Sequence, residues 1–485
     1  MYLGIDLGTS GLKLLLLDER HHVHASVDAP LAVQRPQPLW SEQDPADWWQ
    51  ALAHAAQQLR ATAPQAWRQV RAVGLSGQMH GAVVLDAQAR VLRSAILWND
   101  GRADAQCAEL EQRAPSSRQI TGNLAMPGFT APKLMWLRQH EPALFASIRQ
   151  VLLPKDWLRL QLTGDAVSEM SDASGTLWLD VGQRRWSEPM LAACGLDLSH
   201  MPRLIEGSVP GGTLRASLAE QWGLPQGVIV AGGGGDNAAT AVGVGAARAG
   251  QGFVSLGTSG VVFRVSDAFR PAPEQAVHAF AHALPGRWHQ MSVMLSAASA
   301  FGWVTQLTGS ADEAQLARQA DGLSLAQRAR APMFLPYLSG ERTPHNNPHA
   351  SGVFIGLRGD HAAADLGYAV MEGVGFGLMD GLRAMGPEPG AAPLALVGGG
   401  ARSDGWARLL ASGLCCPLHR SGAAHAAAAL GAARLAWLAD GGTEAEVCQP
   451  LPLEKSFEPD PALSELLAER YPRYQALYPA LKSLF

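Results

Sequence analysis

Two stretches hold residue types suited to phosphate chemistry. Leu7 to Gly11 reads LGTSG, and the same five residues recur from Leu256 to Gly260. Each copy sits between two apolar, β-prone runs, which predicts the turn of a β-hairpin. Glycine lets backbone approach a ligand, successive N–H groups make an anion-binding concavity, and Thr and Ser add hydroxyl donors. One such turn is explained by hairpin geometry alone. Two in matching settings point to a pair of phosphate sites, Gly8, Thr9 and Ser10 in one and Gly257, Thr258 and Ser259 in the other. Facing each other across a cleft, they would clamp a polyphosphate.

Two carboxylates stand near these sequences. Asp6 closes the strand ahead of the first turn, where it either bonds the turn itself or supports a cation beside the phosphates. Asp236 ends the stretch GVIVAGGGGDNAATAVG, where it either caps a helix beginning at Asn237 or acts as a base. Lys13, on the strand leaving the first turn, reaches either the phosphates or solvent. In GQMHG, Met79 and His80 follow a strand and could offer a sugar an apolar face and a hydrogen bond; packing is the plainer role. Trp98 is either a sugar-side wall or a residue of a buried strand. Gly399, Gly400, Ala401 and Ser403 lie in GGGARS, a run with more glycine than a strand-to-helix turn needs.

The elements that must position these groups alternate between strand and helix. DPADWWQALAHAAQQLRA is a helix with Asp44 as N-cap and Pro45 in its first turn. VRAVGLSGQ is a short buried strand, PLWSEQ a loop, and DWLRLQLTG a helix ending at Gly164. Residues 165–225 read as turn-rich surface elaboration, and 242–252 as an interdomain hinge. PLALVGGGARSDGWARLLASGL is strand, turn, then a helix capped by Ser403. HAAAALGAARLAWLAD is a helix with small residues on one face. Pro472 and Pro479 predict a broken helix in the tail. The repeat, about half a chain apart, predicts a duplicated α/β fold divided at 1–245 and 246–485.

With 485 residues, the chain exceeds one ordinary core. Formal net charge is −5, without a basic stripe, which disfavours nucleic acid or an anionic membrane surface as partner. Five cysteines with no metal or disulfide spacing fit a reducing compartment, so a cytoplasmic setting is expected; Cys415-Cys416 reads as buried strand. The first residues lack the charge and apolar core of a signal peptide, and no run is long enough to span a bilayer.

The order GIDLGTSGLK, GGGGDNAA, SLGTSG, GGGARS resembles the actin/Hsp70/sugar-kinase superfamily, with its ribonuclease H-like domains and intervening cleft. GFTAPKLMWLRQH (128–140) and GVFIGLRGDHAAADLGYAVMEG (352–373) are similar to the two signatures of the FGGY carbohydrate kinases. WSEQDP, GLSGQMHG, AILWNDGR, VLLPKDWLRL, MSDASGTLWLD and FLPYLSGERTPHNNP further resemble the family members that act on xylulose. The resemblance spans residues 1 to about 480. It departs at SGAAHAAAALGAA (421–433), where the family often carries an acidic or amide side chain and this chain has only Ser421 and His425.

That resemblance implies transfer of the ATP γ-phosphoryl group to D-xylulose, giving D-xylulose 5-phosphate. Asp236 becomes the general base and Asp6 a catalytic support or Mg²⁺ ligand, directly or through water. Met79, His80, Asn237 and Trp98 become sugar contacts. Gly8, Thr9, Ser10, Lys13, Gly257, Thr258, Ser259, Gly399, Gly400, Ala401 and Ser403 become nucleotide contacts. The glycines before Asp236 are expected to let nucleotide or sugar lie against bare backbone. A ketopentose and ATP are the expected partners, with a homodimer left open. Lobe closure over the site would keep water from the phosphoryl group, making ATP hydrolysis slow without sugar. Other sugars of the same family (ribulose, gluconate, glycerol) and a non-catalytic ATP- or sugar-binding role are the alternatives.

Overall fold

The structure, a computed structural model, describes residues 1–387 and 392–485, and for His425 not the side chain. The first hairpin forms where the sequence places it. Tyr2–Leu7 (β1) and Gly11–Leu17 (β2) pair antiparallel, Leu7 opposite Leu12, leaving Gly8, Thr9 and Ser10 as the turn. Val23–Pro30 (β3) extends the sheet beyond β2. Pro45–Thr62 (α1) follows, with Asp44 accepting from the Ala46 N–H and Pro45 at its start. Ala72–Gly77 (β4) returns parallel to β1 and is buried along its whole length, as expected of a central strand.

Thr130–His140 (α2), Pro154–Thr163 (α3) and Met170–Ser174 (α4) come next; α3 stops at Gly164 in the left-handed conformation. Pro210–Thr213 (β5), Ile229–Ala231 (β6) and Gly234–Gly235 (β7) complete the first sheet, in the order β5-β6-β4-β1-β2-β3 with β7 also on β4. Asp236–Val244 (α5) leaves that edge.

The second sheet repeats the plan. Gly252–Leu256 (β8) and Gly260–Ser266 (β9) form the second LGTSG hairpin, with Leu256 opposite Gly260. His278–Ala281 (β10) and Trp288–Met294 (β11) lie beyond β9; Leu394–Val397 (β12) runs parallel to β8, as β4 does to β1. Leu418–Arg420 (β13) and Lys455–Phe457 (β14) close the other edge. Its helices include Ala298–Leu307 (α6), Asp404–Leu414 (α7), Ala427–Ala439 (α8) and Pro461–Leu481 (α9). The fold is the duplicated two-lobed α/β architecture of the sugar kinases, with each LGTSG turn at the same topological position.

The seam between lobes explains the alanine run. α8 lies on α5 and on the first sheet with no room for side chains. A Cβ built on Gly431 would stand 1.7 Å from the Ala239 carbonyl oxygen, and one on Gly243 1.9 Å from that of Ala427. Gly4 and Gly74 meet Ala429 and Ala432 of α8 in the same way. Larger side chains here would hold the two backbones apart, so alanine and glycine are packing residues.

Several expectations are corrected. The tail is one continuous helix through Pro472 and Pro479, because Leu463, Leu467, Tyr471, Tyr474 and Tyr478 bury against the second lobe and offset the missing hydrogen bonds. Residues 165–225 are not simply surface: α4 is wholly buried and β5 belongs to the main sheet. Residues 242–244 are helical, so the connection between lobes begins at Gly245. Cys415 is an exposed left-handed C-cap of α7 and the strand starts only at Leu418. Glu42–Gln43, expected in a loop, pairs with Ala95–Ile96. All five cysteines are free, and no helix among the described residues is long and apolar enough to cross a membrane.

Candidate active site

The two carboxylates converge through strand register. Asp6 is opposite Ser76 across β1 and β4, and Ser76 is opposite Gly234 across β4 and β7, one residue from α5. Asp6 Oδ1 accepts from the Ser76 hydroxyl at 2.9 Å. Burial raises the Asp6 carboxyl above its ordinary range, while Ser76 and Lys13 pull it down. Asp236 occupies the first position of α5, with Gly235 as N-cap, so the helix begins one residue earlier than expected. Its Oδ1 accepts from the Asn237 N–H at 2.7 Å and side-chain amide at 2.9 Å. Burial and the Asp6 charge raise the Asp236 carboxyl to about 7. A group poised there takes up a proton readily near neutral pH.

The four glycines have a different cause from the one expected. A Cβ on Gly232 would meet the Glu206 carbonyl oxygen at 2.2 Å; one on Gly233, whose φ is +78°, would meet that of Leu75 at 2.1 Å; one on Gly235 would meet Met79 Sδ at 2.9 Å. The protein's own backbone and Met79 crowd this run, which accounts for its glycines without calling on a bound ligand. Behind it, Arg159 donates to the Ala231 and Gly232 carbonyls, and the Gly235 N–H donates to Ser171 Oγ at 3.0 Å. Ser171 in turn donates to Glu169, which with Asp156 and Asp172 surrounds the buried Lys155 ammonium at 3.4, 2.6 and 3.1 Å. This charged scaffold under the start of α5 was missed. Its sequence signal is KDWLR and SEMSD, charges placed in otherwise apolar segments.

On the sugar side, His80 adopts φ +68° and its Nδ1 donates to the Gly175 carbonyl at 2.7 Å. Burial lowers its pKa to about 3, so the ring is neutral and Nε2 is left as an acceptor. Phe129 packs edge-on at 4.7 Å between ring centres. Trp98 is not in a buried strand: it is 38% exposed, and its indole N–H donates to Thr9 Oγ1 at 2.9 Å. Thr9 also donates to Gln78 Oε1, and its carbonyl accepts from Gln43 at 2.8 Å. The Thr9 hydroxyl is therefore held by the fold, leaving its backbone N–H and the exposed Ser10 for a phosphate. Gln43 and Gln78, which tie the sugar loop to the hairpin, were also missed. Lys13 pairs with Asp28 at 2.6 Å, so a phosphate would have to compete for it.

The second hairpin docks on the start of α6: the Ala297 and Ala298 N–H groups donate to the Thr258 and Gly257 carbonyls. Thr258 is exposed and Ser259 partly so. Gly398, at φ +95°, lies over Leu256 with no space for a Cβ, and Gly400 meets the Leu256 side chain. Gly399 has only Arg402 within 4.0 Å of its notional Cβ. It borders a cavity of about 420 Å³ lined by Phe301, Ala317, Asp321, Ser403 and Trp406. Ser403 caps α7 by accepting from the Trp406 N–H, as expected, and Ala401 is buried with its carbonyl accepting from Arg420. Turn, cavity and capped helix together make a slot of purine size.

Comparison with known proteins bears on this geometry. The model of the FGGY family of carbohydrate kinases, N-terminal domain, matches residues 1–243, and that of the C-terminal domain matches residues 252–439. The chain is 52% identical to a xylulose kinase of Escherichia coli (strain K12), over 100% of this chain and 98% of the relative. It is 53% identical to a xylulose kinase of Klebsiella pneumoniae, over 95% of each. A crystal structure of a xyloylose kinase from Brucella ovis superposes with a TM-score of 0.95 at 49% identity, covering 100% of both chains. A xylulose kinase from Rhodospirillum rubrum gives 0.90 at 28%, covering 100% of this chain and 99% of the other. With two carboxylates meeting at the strand ends and a glycine-walled slot in the second lobe, the chain belongs to the FGGY family of carbohydrate kinases.

Proposed function

We propose that this protein phosphorylates D-xylulose with ATP to give D-xylulose 5-phosphate. The observation that carries this reading is Asp236: a carboxyl raised to about 7, with Oδ1 committed to Asn237 and Oδ2 without a hydrogen bond among the described residues. The sugar hydroxyl oxygen attacks the γ-phosphorus, its proton passes to Asp236, and the bond from phosphorus to the β-γ bridging oxygen breaks to release ADP. Neutral His80, accepting at Nε2, takes a sugar hydroxyl proton in a hydrogen bond, and Met79 and Trp98 supply apolar surface. Asn237 orients Asp236 from one side and leaves its amide oxygen for the sugar.

The nucleotide contacts are assigned to Gly8, Ser10 and the Thr9 backbone on the first hairpin, and to Gly257, Thr258 and Ser259 on the second. The base occupies the slot at Gly399. The residues present also suit Mg²⁺. Asp6 and Asp236 are half-buried carboxyls that both titrate high, and a divalent cation would relieve that, held by one carboxylate, water and the nucleotide's own phosphates. Bound there, the cation would offset charge on the phosphates. No cluster of three or more His, Cys, Asp or Glu exists among the described residues to bind it alone. The lobes, taken as 1–245 and 246–485, close over the sugar, so water is excluded before transfer.

The test is sugar-dependent ADP release from ATP·Mg²⁺ with D-xylulose, D-ribulose, L-ribulose, D-gluconate and glycerol, alongside Asp236→Ala. Highest turnover with D-xylulose, abolished in the variant, is expected. A different preferred sugar would overturn the substrate, and no stimulation by any sugar would overturn the kinase reading.

A further inference from the structure

The segment GERTP, residues 340–344, is fixed between the sugar wall and the second hairpin. Glu341 Oε1 accepts from the Leu295 N–H at 3.0 Å and the Arg342 N–H at 2.7 Å. Thr343 Oγ1 accepts from the Val293 N–H at 3.1 Å and donates to the Ala276 carbonyl at 2.8 Å. Two residues past Leu295, the Ala297 N–H donates to Thr258 of the hairpin. Arg342 is thus pinned by its neighbours on both sides, beside the loop that presents the nucleotide phosphates.

Its side chain runs toward the sugar. Arg342 Nη1 donates to His278 Nε2 at 3.3 Å, and His278 Nδ1 donates to Asn123. The His278 ring lies 5.5 Å from Phe129 and 5.3 Å from Phe280, and both of those rings pack on His80. The guanidinium has no ion pair among the described residues. Glu341 is the acid next to it, and burial raises that carboxyl to about 8, so it is mostly uncharged at neutral pH. Burial also lowers Arg342's own pKa. A half-buried guanidinium without a counterion, still reachable from solvent, is placed to accept an anion during function.

Resting on the sugar-kinase reading, the reaction carries one anion through this gap. We propose that Arg342 binds the phosphoryl group as it arrives on the sugar and holds the phosphate of the product. Arg is suited to this because its planar donors match phosphate oxygens in pairs. The neutral sugar offers no such partner, so the contact favours the transferred state over the substrate.

Calorimetric titration of the full-length protein tests it, using wild type, Arg342→Met and Arg342→Lys with D-xylulose and D-xylulose 5-phosphate. In Arg342→Met, affinity for D-xylulose should stay within about twofold while that for the 5-phosphate falls about 30-fold or more. Arg342→Lys should recover part of that loss, and it carries the test by itself if the Met variant does not fold. Equal loss for both ligands would overturn the proposal by making Arg342 part of the sugar wall, and no loss for either would overturn it outright. If wild type prefers another sugar, that sugar and its phosphate replace the pair. The wild-type data thus judge the substrate reading, and the ratio between ligands judges Arg342.

Discussion

The buried Nζ of Lys133 donates to the carbonyl of His80 at 2.9 Å, from beneath the loop that follows β4. It also donates to the Gly128 carbonyl at 2.7 Å, and Gly128 packs against the Trp98 carbonyl. One side chain therefore ties together the loops that carry His80 and Trp98, and it fastens His80 in the left-handed conformation, uncommon outside glycine but one that histidine tolerates better than most. Burial lowers the Lys133 pKa well below its ordinary value. Lys133→Met should raise the KM for D-xylulose about tenfold and leave the KM for ATP unchanged. Two carbonyls lose their donor, so the melting temperature should fall as well, at about 1–3 kcal/mol for each. Equal changes in both KM values would show the lysine to be a general support.

As the proposed base, Asp236 should set the acid limb of the pH profile. A base works only when ionised, so kcat/KM for the sugar should fall about tenfold per pH unit below 7 and level off above it. Asp236→Asn should lower kcat by about 10²–10⁴-fold. Stability should move the other way. Because the folded-state pKa is raised, the native protein disfavours the ionised form; the penalty is absent below the unfolded value of 3.8 and complete above about 7. The Asn variant should therefore melt higher than wild type at pH 8, with the gap closing as pH falls toward 4. A gap independent of pH would contradict this assignment.

Gly399 separates nucleotide binding from folding. A side chain there meets open space and requires no unusual backbone angle. Gly399→Val should leave the unfolding free energy within about 0.5 kcal/mol of wild type, as at unconstrained surface sites, yet raise the KM for ATP about tenfold by filling the slot. Unchanged ATP kinetics would place the base elsewhere.

Gly431 tests the seam. Its Cβ would meet a backbone oxygen that cannot step aside. Gly431→Ala should cost about 1–3 kcal/mol, as overpacked cores do. Gly359→Ala, where nothing lies within 4 Å, should cost almost nothing and serves as the control.

The features legible in the sequence are those encoded by neighbours along the chain. Asp44 and Ser403 cap their helices because a short polar side chain beside a helix start can reach its N–H groups whatever the fold around it. The LGTSG turns form because glycine and flanking apolar runs are enough for a hairpin. What escaped depends on segments far apart. The reason for Gly232 lies in Glu206 and that for Gly235 in Met79, and neither neighbour is visible until the sheet is assembled. Lys155 and Asp172 read as surface charges until α3 and α4 are seen to bury them together. Pro472 obeys a local rule against helix, which tyrosine packing on the second lobe overrides. The residues proposed to contact nucleotide and sugar stand in motifs, whereas the supports beneath them carry none.

The crossing of α5 and α8 also limits how the enzyme can move. At Gly431 and Gly243 the gap between backbones is less than a methyl group. Sliding one helix along the other would drive alanine side chains into carbonyl oxygens, whereas tilting about the contact would keep these close approaches nearly fixed. The crossing therefore acts as a fulcrum. A small change of angle there would move the second LGTSG turn and the Gly399 slot relative to the first lobe while leaving the hydrogen bonds around Asp236, at the start of α5, in place.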